Sequence, residues 1–481
     1  MRSLAALLFL ASTVTAHREY RAQHPRQGSA SPSGSAPPAS GSAPPASGTA
    51  PASNATATPS QAQANYTLSF VSTNPTAMPL TDIVATPTST DTTYPVFTAF
   101  APGATPPVKG APPLPLAGTI DASDWPTLDK TPPTDTTQVE AWMQELNGYY
   151  IPNFSPTVPG GCATNPGLVG NETLCWWTCG HCTRETDITS CPDKMTWGLS
   201  YDDGPSPWTP ALLNYMNQEN LKSTFFIVGS RAISRPQILQ DEYMLGHQLC
   251  VHTWSHPYLT TLTTEQARLS HSCVVAELGW TREAIRQITG VSPNCMRPPY
   301  GDLDDRVRAI SLAMGMTPII WTSTANVTFD TNDWHIPAGT VTVQLVLETF
   351  DEILNEYAPS LNSGFIVLEH DLWPQTVDIA VGYVLPNALA SKKYQMMPII
   401  SCLGRPLEDS YIETNNNASN PPAEEGLTTL PPGYTSTLTG LDGNPTGLPG
   451  SAGSGAGRAV HVVGWGAGAG ALLAAAWITL L

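Results

Sequence analysis

From about residue 195 to residue 402 the chain alternates between short runs rich in β-branched and aromatic residues and longer stretches with helical apolar spacing. "MTWGLSY" reads as a strand and "PALLNYMNQEN" as a helix; "STFFIVGS", "HQLCVH", "NCMRPP", "TPIIWTS", "GFIVLEHD" and "QMMPIISC" read as further strands. Between them lie helical stretches such as "RPQILQDEYMLGH", "LDDRVRAISLAMGM", "VQLVLETFDEILNEY" and "DIAVGYVLPNALA". A long helical stretch opens at "TTEQARLSHSCVVAELGW", where Thr263 stands three before Gln266 in a capping-box pattern. Parallel strands need a long crossover, usually a helix, so sustained alternation points to an α/β structure with a parallel sheet, either barrel or doubly wound. About 285 residues lie between low-complexity flanks, a size that suits a βα barrel.

Polar residues gather at one end of these strands. Asp202 and Asp203 follow the first, His252 ends the third, Arg297 ends the fourth, Asp330 and Asp333 follow the fifth, and His370 ends the sixth. In a barrel the C-terminal strand ends converge on one face, where active sites form. Polar residues scattered through a core would not produce this convergence.

The flanks have another character. "MRSLAALLFLASTVTA" (residues 1–16) has the basic start, short apolar run and small-residue cleavage site of a secretory signal. Residues 17–118, with the repeat "SGSAPPASGSAPPASG", cannot bury enough apolar surface to offset chain entropy and read as a disordered, Ser/Thr/Pro-rich glycosylated stalk. Residues 406–450 read as a similar linker. Residues 451–481 place small residues from Ser451 before an apolar tail, the order of a GPI attachment signal, with Ser451 as the expected attachment point. The expected location is the outer face of the plasma membrane and the cell wall. The six N-x-S/T sequons at Asn54, Asn65, Asn153, Asn171, Asn326 and Asn417 fit that route.

In a secreted chain the nine cysteines read as disulfides with one thiol left over, although "CWWTCGHC" imitates a metal or redox motif. Four of them crowd residues 119–190, a Cys-rich extension ahead of the alternating domain at 191–405. A formal net charge of −18 argues against a nucleic-acid partner, because no basic footprint exists to neutralise phosphates.

The chemistry turns on "HTWSH". His252 and His256 alone would be unremarkable among ten histidines. With one carboxylate they make a His₂Asp set, which leaves room for a water on a catalytic metal. "SYDDGPS" offers two carboxylates, and adjacent residues on an extended segment point opposite ways, so one can bind metal while the other faces substrate as a base. The bland alternative is an Asp-Asp-Gly turn. His370 has the residue type for a general acid, with Asp333 or Asp330 to hold its other ring nitrogen, and Arg297 could orient the base.

Taken in order, "SYDDGPS", "HTWSHP", "RPPYGD", "TFDTNDW" and "IVLEHD" resemble the five motifs of carbohydrate esterase family 4, the NodB-homology polysaccharide deacetylases. With the signal, stalk and tail, the chain is similar to the GPI-anchored chitin deacetylases of basidiomycete yeasts. The resemblance covers roughly residues 190–405 and implies a distorted (β/α) barrel of about seven strands. It implies metal-dependent hydrolysis of N-acetyl groups on the N-acetylglucosamine units of chitin, giving chitosan and acetate for the cell wall.

By resemblance Asp202 is the general base and also contacts substrate, while Asp203, His252 and His256 hold one divalent metal, Zn²⁺ or Co²⁺. Arg297 orients the base, the backbone N–H of Tyr300 helps hold the oxyanion, and His370 is the general acid. The fourth-motif aspartate, preferably Asp333, tunes that acid, and Trp334 contacts substrate. Tyr201 stands where the family usually has Phe. Trp208, Trp254 and Trp373 are further candidates for stacking on sugar rings. An esterase acting on O-acetylated polymers and a non-catalytic wall mannoprotein are the rival readings.

Overall fold

The computed structural model describes residues 70–85, 100–262 and 270–418, plus a short antiparallel pairing of Leu438–Thr439 with Pro445–Thr446. The signal segment, most of the stalk, the Thr263–Gln266 cap, Asn54, Asn65 and the GPI region with Ser451 lie outside the described residues.

All strands of the main domain pair in parallel. β1 (Thr196–Gly198) and β2 (Ser200–Asp202) are separated only by Leu199. β2, β3 (Thr224–Ile227), β4 (Gln248–Val251), β5 (Cys295–Met296) and β6 (Thr317–Pro318) form one sheet in that order. β7 (Phe365–Ile366), β1 and β8 (Gln395–Met397) form a second. The register sets Tyr201 beside Phe225, Phe225 beside Leu249 and Val251 beside Met296. β3 and β4 are buried throughout, as parallel strands covered on both faces are, and their two polar residues pair, Thr224 Oγ1 donating to Gln248 Oε1 at 2.7 Å.

Single ties join the sheets further along the chain. Thr322 donates its backbone N–H to Ile366 O at 3.0 Å, Leu368 donates to Phe329 O at 2.9 Å, and Asp202 forms an isolated parallel bridge with His370. The crossover helices start where the chain can end them cleanly. Asp304 and Thr342 cap helices Asp305–Ala313 and Val343–Glu352 by accepting from Val307 N and Leu345 N, while Pro236 and Pro374 occupy first turns, where no donor is needed. The longest, Ser270–Thr289, presses Val274, Val275, Leu278, Ile285 and Ile288 into the core.

Three sequence expectations change. "QMMPIISC" is strand only over Gln395–Met397, because Pro398 ends the ladder and Ile399–Cys402 turns into helix. Residues 70–85 and 100–118, assigned by composition to the stalk, pack on the core instead: Ile83, Val108 and Leu114 are buried, and Phe70, Leu80 and Phe100 lie against them. The supposed linker starts later than residue 406, since Tyr411 is fully buried and its hydroxyl accepts from Leu249 N at 3.2 Å. A few well-placed apolar residues anchor these segments, and average composition conceals them.

The cysteines pair as Cys162–Cys179, Cys175–Cys182, Cys191–Cys402 and Cys250–Cys295, with Cys273 buried outside these bonds. Cys250–Cys295 staples β4 to β5, directly below His252 and Arg297. Cys191–Cys402 joins the two ends of the alternating domain. The sequons Asn153, Asn171, Asn326 and Asn417 are all exposed.

Candidate active site

The two aspartates at the end of β2 face different neighbours. Asp202 remains in the strand, and its Oδ1 accepts from Arg297 Nη1 at 2.6 Å. The Arg297 guanidinium is fully buried, lies 3.8 Å from the centroid of the Phe226 ring, and also donates from Nη2 to Ser200 Oγ at 3.1 Å. A lone buried charge is costly, so losing either partner would cost about 3–5 kcal/mol.

Asp203 leaves the strand with φ of 79°, which swings its carboxylate toward the histidines. Gly204 permits the following turn, because a Cβ there would meet Asp371 Oδ2 at 2.5 Å. Asp203 Oδ1 lies 3.1 Å from His256 Nε2 and 3.4 Å from His252 Nε2, and the three ligand atoms lie within 4.8 Å of one another.

This donor set fits a divalent cation. His252 Nδ1 is 2.7 Å from Arg297 O, which can only accept, so Nδ1 donates there and Nε2 is the nitrogen turned toward Asp203 Oδ1. One ring nitrogen from each histidine and one buried carboxylate oxygen thus converge on a single place, a donor set that suits a divalent cation. Burial pulls the pKa of His256 down despite the pull of Asp203 in the other direction, which favours the neutral, ligating ring.

The "HTWSH" loop is pinned from behind. Glu277, fully buried on helix Ser270–Thr289, accepts from Trp254 N at 2.8 Å, Ser255 N at 2.9 Å and Ser255 Oγ at 2.6 Å. Burial raises Glu277 to about 7, and these donors act in the opposite direction. The loop needs pinning because Thr253 and His256 both hold positive φ, at 66° and 58°. Arg231 adds a hydrogen bond from Nη1 to Asp203 O at 2.7 Å. Neither Glu277 nor Arg231 was foreseen from the motifs. A single acid within the apolar run "SCVVAELGW" was the available signal.

Trp254 does not face substrate. It is fully buried, stacks on Trp125 at 6.0 Å, and donates from Nε1 to Thr127 O at 3.2 Å. Gly229 allows this packing, since a Cβ there would meet the indole at 2.7 Å. Trp125 further contacts Trp280, which contacts Trp142, so an aromatic chain from the N-terminal extension ends between the two histidines.

The other side of the mouth holds His370. Its Nδ1 donates to Asp333 Oδ1 at 2.7 Å, and its backbone N–H donates to Asp333 Oδ2 at 2.9 Å. Burial pulls His370 down, but Asp333, with smaller contributions from Asp203 and Asp202, outweighs it and raises the pKa to about 10. The ring is therefore charged at neutral pH, with Nε2–H as its remaining proton. Asp330 accepts from Asn332 N at 2.8 Å and from the Trp334 side chain, so it fixes the turn while Asp333 holds the histidine. His335 stacks on Trp334 and its Nδ1 is 3.1 Å from Thr340 Oγ1.

Tyr300 adopts φ of 59° on the turn after Arg297, and its half-exposed ring stacks on Tyr258 at 3.9 Å and packs against His256. Tyr201 is buried and stacks on Phe225, so the phenol is accommodated in the strand as a ring of Phe size would be.

The family profile described as Polysaccharide deacetylase matches residues 189–319. The chain is 54% identical over 332 residues to Chitin deacetylase 1 of Cryptococcus neoformans var. grubii, covering 68% of each chain. It is 33% identical over 315 residues to a chitin deacetylase of Amylomyces rouxii, covering 62% of this chain and 70% of that one. A solved chitin deacetylase from Colletotrichum lindemuthianum is 28% identical, with a TM-score of 0.39 over 47% of this chain and 95% of that chain.

Proposed function

This chain belongs to the polysaccharide deacetylase family, and we propose that it hydrolyses the N-acetyl groups of N-acetylglucosamine units in chitin, yielding chitosan and acetate. The observation that carries the reading is one mouth holding a His₂Asp donor set, an Arg-paired aspartate and an Asp-paired histidine.

Asp203, His252 and His256 would hold the metal, zinc or cobalt, since this donor set suits either. A divalent ion held there would polarise the amide carbonyl and would lower the pKa of water toward ~7. Asp202 takes the proton from the attacking water, and Arg297 orients its carboxylate. The backbone N–H of Tyr300 helps hold the negative oxygen that develops. His370 gives its Nε2 proton to the departing sugar nitrogen, and Asp333 keeps that proton on the ring until then.

The ties among β2, β6 and β7 support reading the two sheets as one distorted (β/α) barrel of about seven strands, with the mouth at its C-terminal end. The signal-like start and GPI-like end support a glycosylated protein held on the outer plasma membrane and in the wall, in reach of its polymer. Phosphatidylinositol-specific phospholipase C should then release the protein from intact cells; retention after treatment would count against the anchor.

The decisive assay is acetate release by the purified protein from chitin oligomers and from acetylated xylan, with and without chelator. Chelator-sensitive release from chitin oligomers is expected. Preferential release from xylan would favour the esterase reading, and release indifferent to chelation would remove the metal from the account.

A further inference from the structure

The segment "CWWTCGHC" supplies none of the groups at the mouth, yet it packs directly behind the Tyr300 turn. Three consecutive residues between its cysteines hold three consecutive residues that follow Tyr300. Trp176 Nε1 donates to Asp302 Oδ1 at 2.8 Å, and Trp177 donates its backbone N–H to Leu303 O at 2.8 Å. Thr178 Oγ1 lies 3.1 Å from both Gly301 O and Asp302 Oδ1, and its one proton serves either. Gly301 holds φ of 64°, and a Cβ there would meet the Trp177 ring at 2.2 Å, so the indole sits against the turn itself.

Asp302 is the hub of these contacts. It is buried, and a buried carboxylate has to be supplied with donors. Trp176 and Thr178 supply them from the extension. From the other direction Thr260 donates its backbone N–H to Oδ2 at 2.7 Å, and its hydroxyl lies 2.8 Å from the same oxygen. Thr260 stands four residues after the proposed ligand His256, in the loop that "HTWSHP" begins. The extension reaches this loop a second time: Thr157 donates its backbone N–H to Thr260 O at 3.0 Å, and the two hydroxyls lie 2.7 Å apart. One carboxylate therefore joins the turn that carries the Tyr300 N–H to the loop that carries His256.

The extension is itself fastened. Cys162–Cys179 and Cys175–Cys182 link positions 17 and 7 residues apart, and Trp176–Thr178 lie inside both loops. Arg308, buried on helix Asp305–Ala313, donates from Nη1 to Cys175 O at 2.5 Å and from Nη2 to Cys182 O at 2.8 Å. Residues 162–182 precede residue 189, where the match to the polysaccharide deacetylase profile starts. The support behind the turn thus comes from outside the matched stretch.

We propose that Asp302 and the disulfide-bonded segment Trp176–Thr178 are positioning residues for the reaction, fixing the Tyr300 backbone N–H where the negative oxygen develops. The turn needs support because Tyr300 holds a left-handed φ of 59°, which is unfavourable for a bulky residue. An oxyanion donor works by being fixed before the charge forms, so a turn that drifts loses rate and not substrate affinity. The proposal rests on the deacetylase reading, which gives the Tyr300 N–H its task.

The test uses the full chain saturated with zinc, measuring acetate release from the N-acetylglucosamine pentamer and bound metal on the same samples. Trp176→Phe with Thr178→Val removes both side-chain donors and keeps their bulk. Cys175→Ser with Cys182→Ser opens the tighter disulfide. In each double variant kcat per bound metal should fall about tenfold, a part of the roughly 10²–10³-fold that loss of an oxyanion donor costs. KM and metal content should stay within about twofold of wild type, and the alkaline limb of the pH–rate profile should not move. The tryptophan–threonine variant decides alone where the cysteine variant does not fold. Activity that falls only in step with bound metal would make the segment a scaffold and overturn the proposal. So would an unchanged kcat in the tryptophan–threonine variant, or a KM that rises as far as kcat drops. No acetate from wild type would instead defeat the deacetylase reading, and the positioning role with it.

Discussion

The two sides of the catalytic mouth are built on different principles. The side proposed to hold the metal is held by shape. Asp203, Thr253 and His256 keep left-handed backbone conformations, and Glu277, Arg231 and the stacked Trp254 fix the loops from behind. The acid side is held by charge: one carboxylate, Asp333, grips both the ring and the backbone N–H of His370 and raises its pKa to about 10. Damage to the first side should therefore appear as lost metal affinity, and damage to the second as a shifted pH profile. A site whose two halves failed in the same way would refute this division.

The largest effect is expected from His256→Ala, which removes one of the three proposed metal ligands outright. Activity should fall by roughly 10³-fold or more, the several kcal/mol that a metal's Lewis acidity supplies. Metal content measured after dialysis should fall with it, while the thermal midpoint changes little.

Asp333→Asn comes next and acts on the other side. His370 must be protonated to act as an acid, so activity is lost as pH rises through its pKa. Asp333 raises that pKa; without it, burial pulls the ring back toward or below about 6.5. The alkaline limb of the pH–rate profile should move to lower pH, with about 10²-fold lower activity at pH 8 and unchanged metal content. An unmoved limb would mean that another group sets it.

Glu277→Gln should have the smallest effect and sharpen the comparison most. The pin is weakened without touching a ligand, so metal affinity in a chelator competition should drop about tenfold. The rate of the metal-saturated enzyme and the position of the alkaline limb should stay nearly constant. A shifted limb with intact affinity would place Glu277 on the acid side instead.

Much of this was legible in the sequence for a physical reason. Parallel strands need long crossovers, so alternation shows in one dimension, and the strand ends that carry Asp202, His252, Arg297 and His370 can be read from where each apolar run stops. Sequence could not choose between Asp330 and Asp333, because both follow the same strand; the choice depends on which one folds back on its own turn. Trp254 looked like a sugar platform, yet its surroundings are supplied by Trp125, which lies in a different part of the chain. The same holds for the N-terminal segment at residues 70–85, whose contacts join positions hundreds of residues apart and leave no local pattern.

The central claim is that adjacent aspartates divide the work, Asp203 holding the metal and Asp202 handling the water. It is tested most directly by measuring bound metal and acetate release side by side in Asp202→Asn and Asp203→Asn. Both variants should lose activity, but Asp202→Asn should retain its metal and Asp203→Asn should not. Loss of metal from Asp202→Asn, or full metal content in Asp203→Asn, would contradict the account.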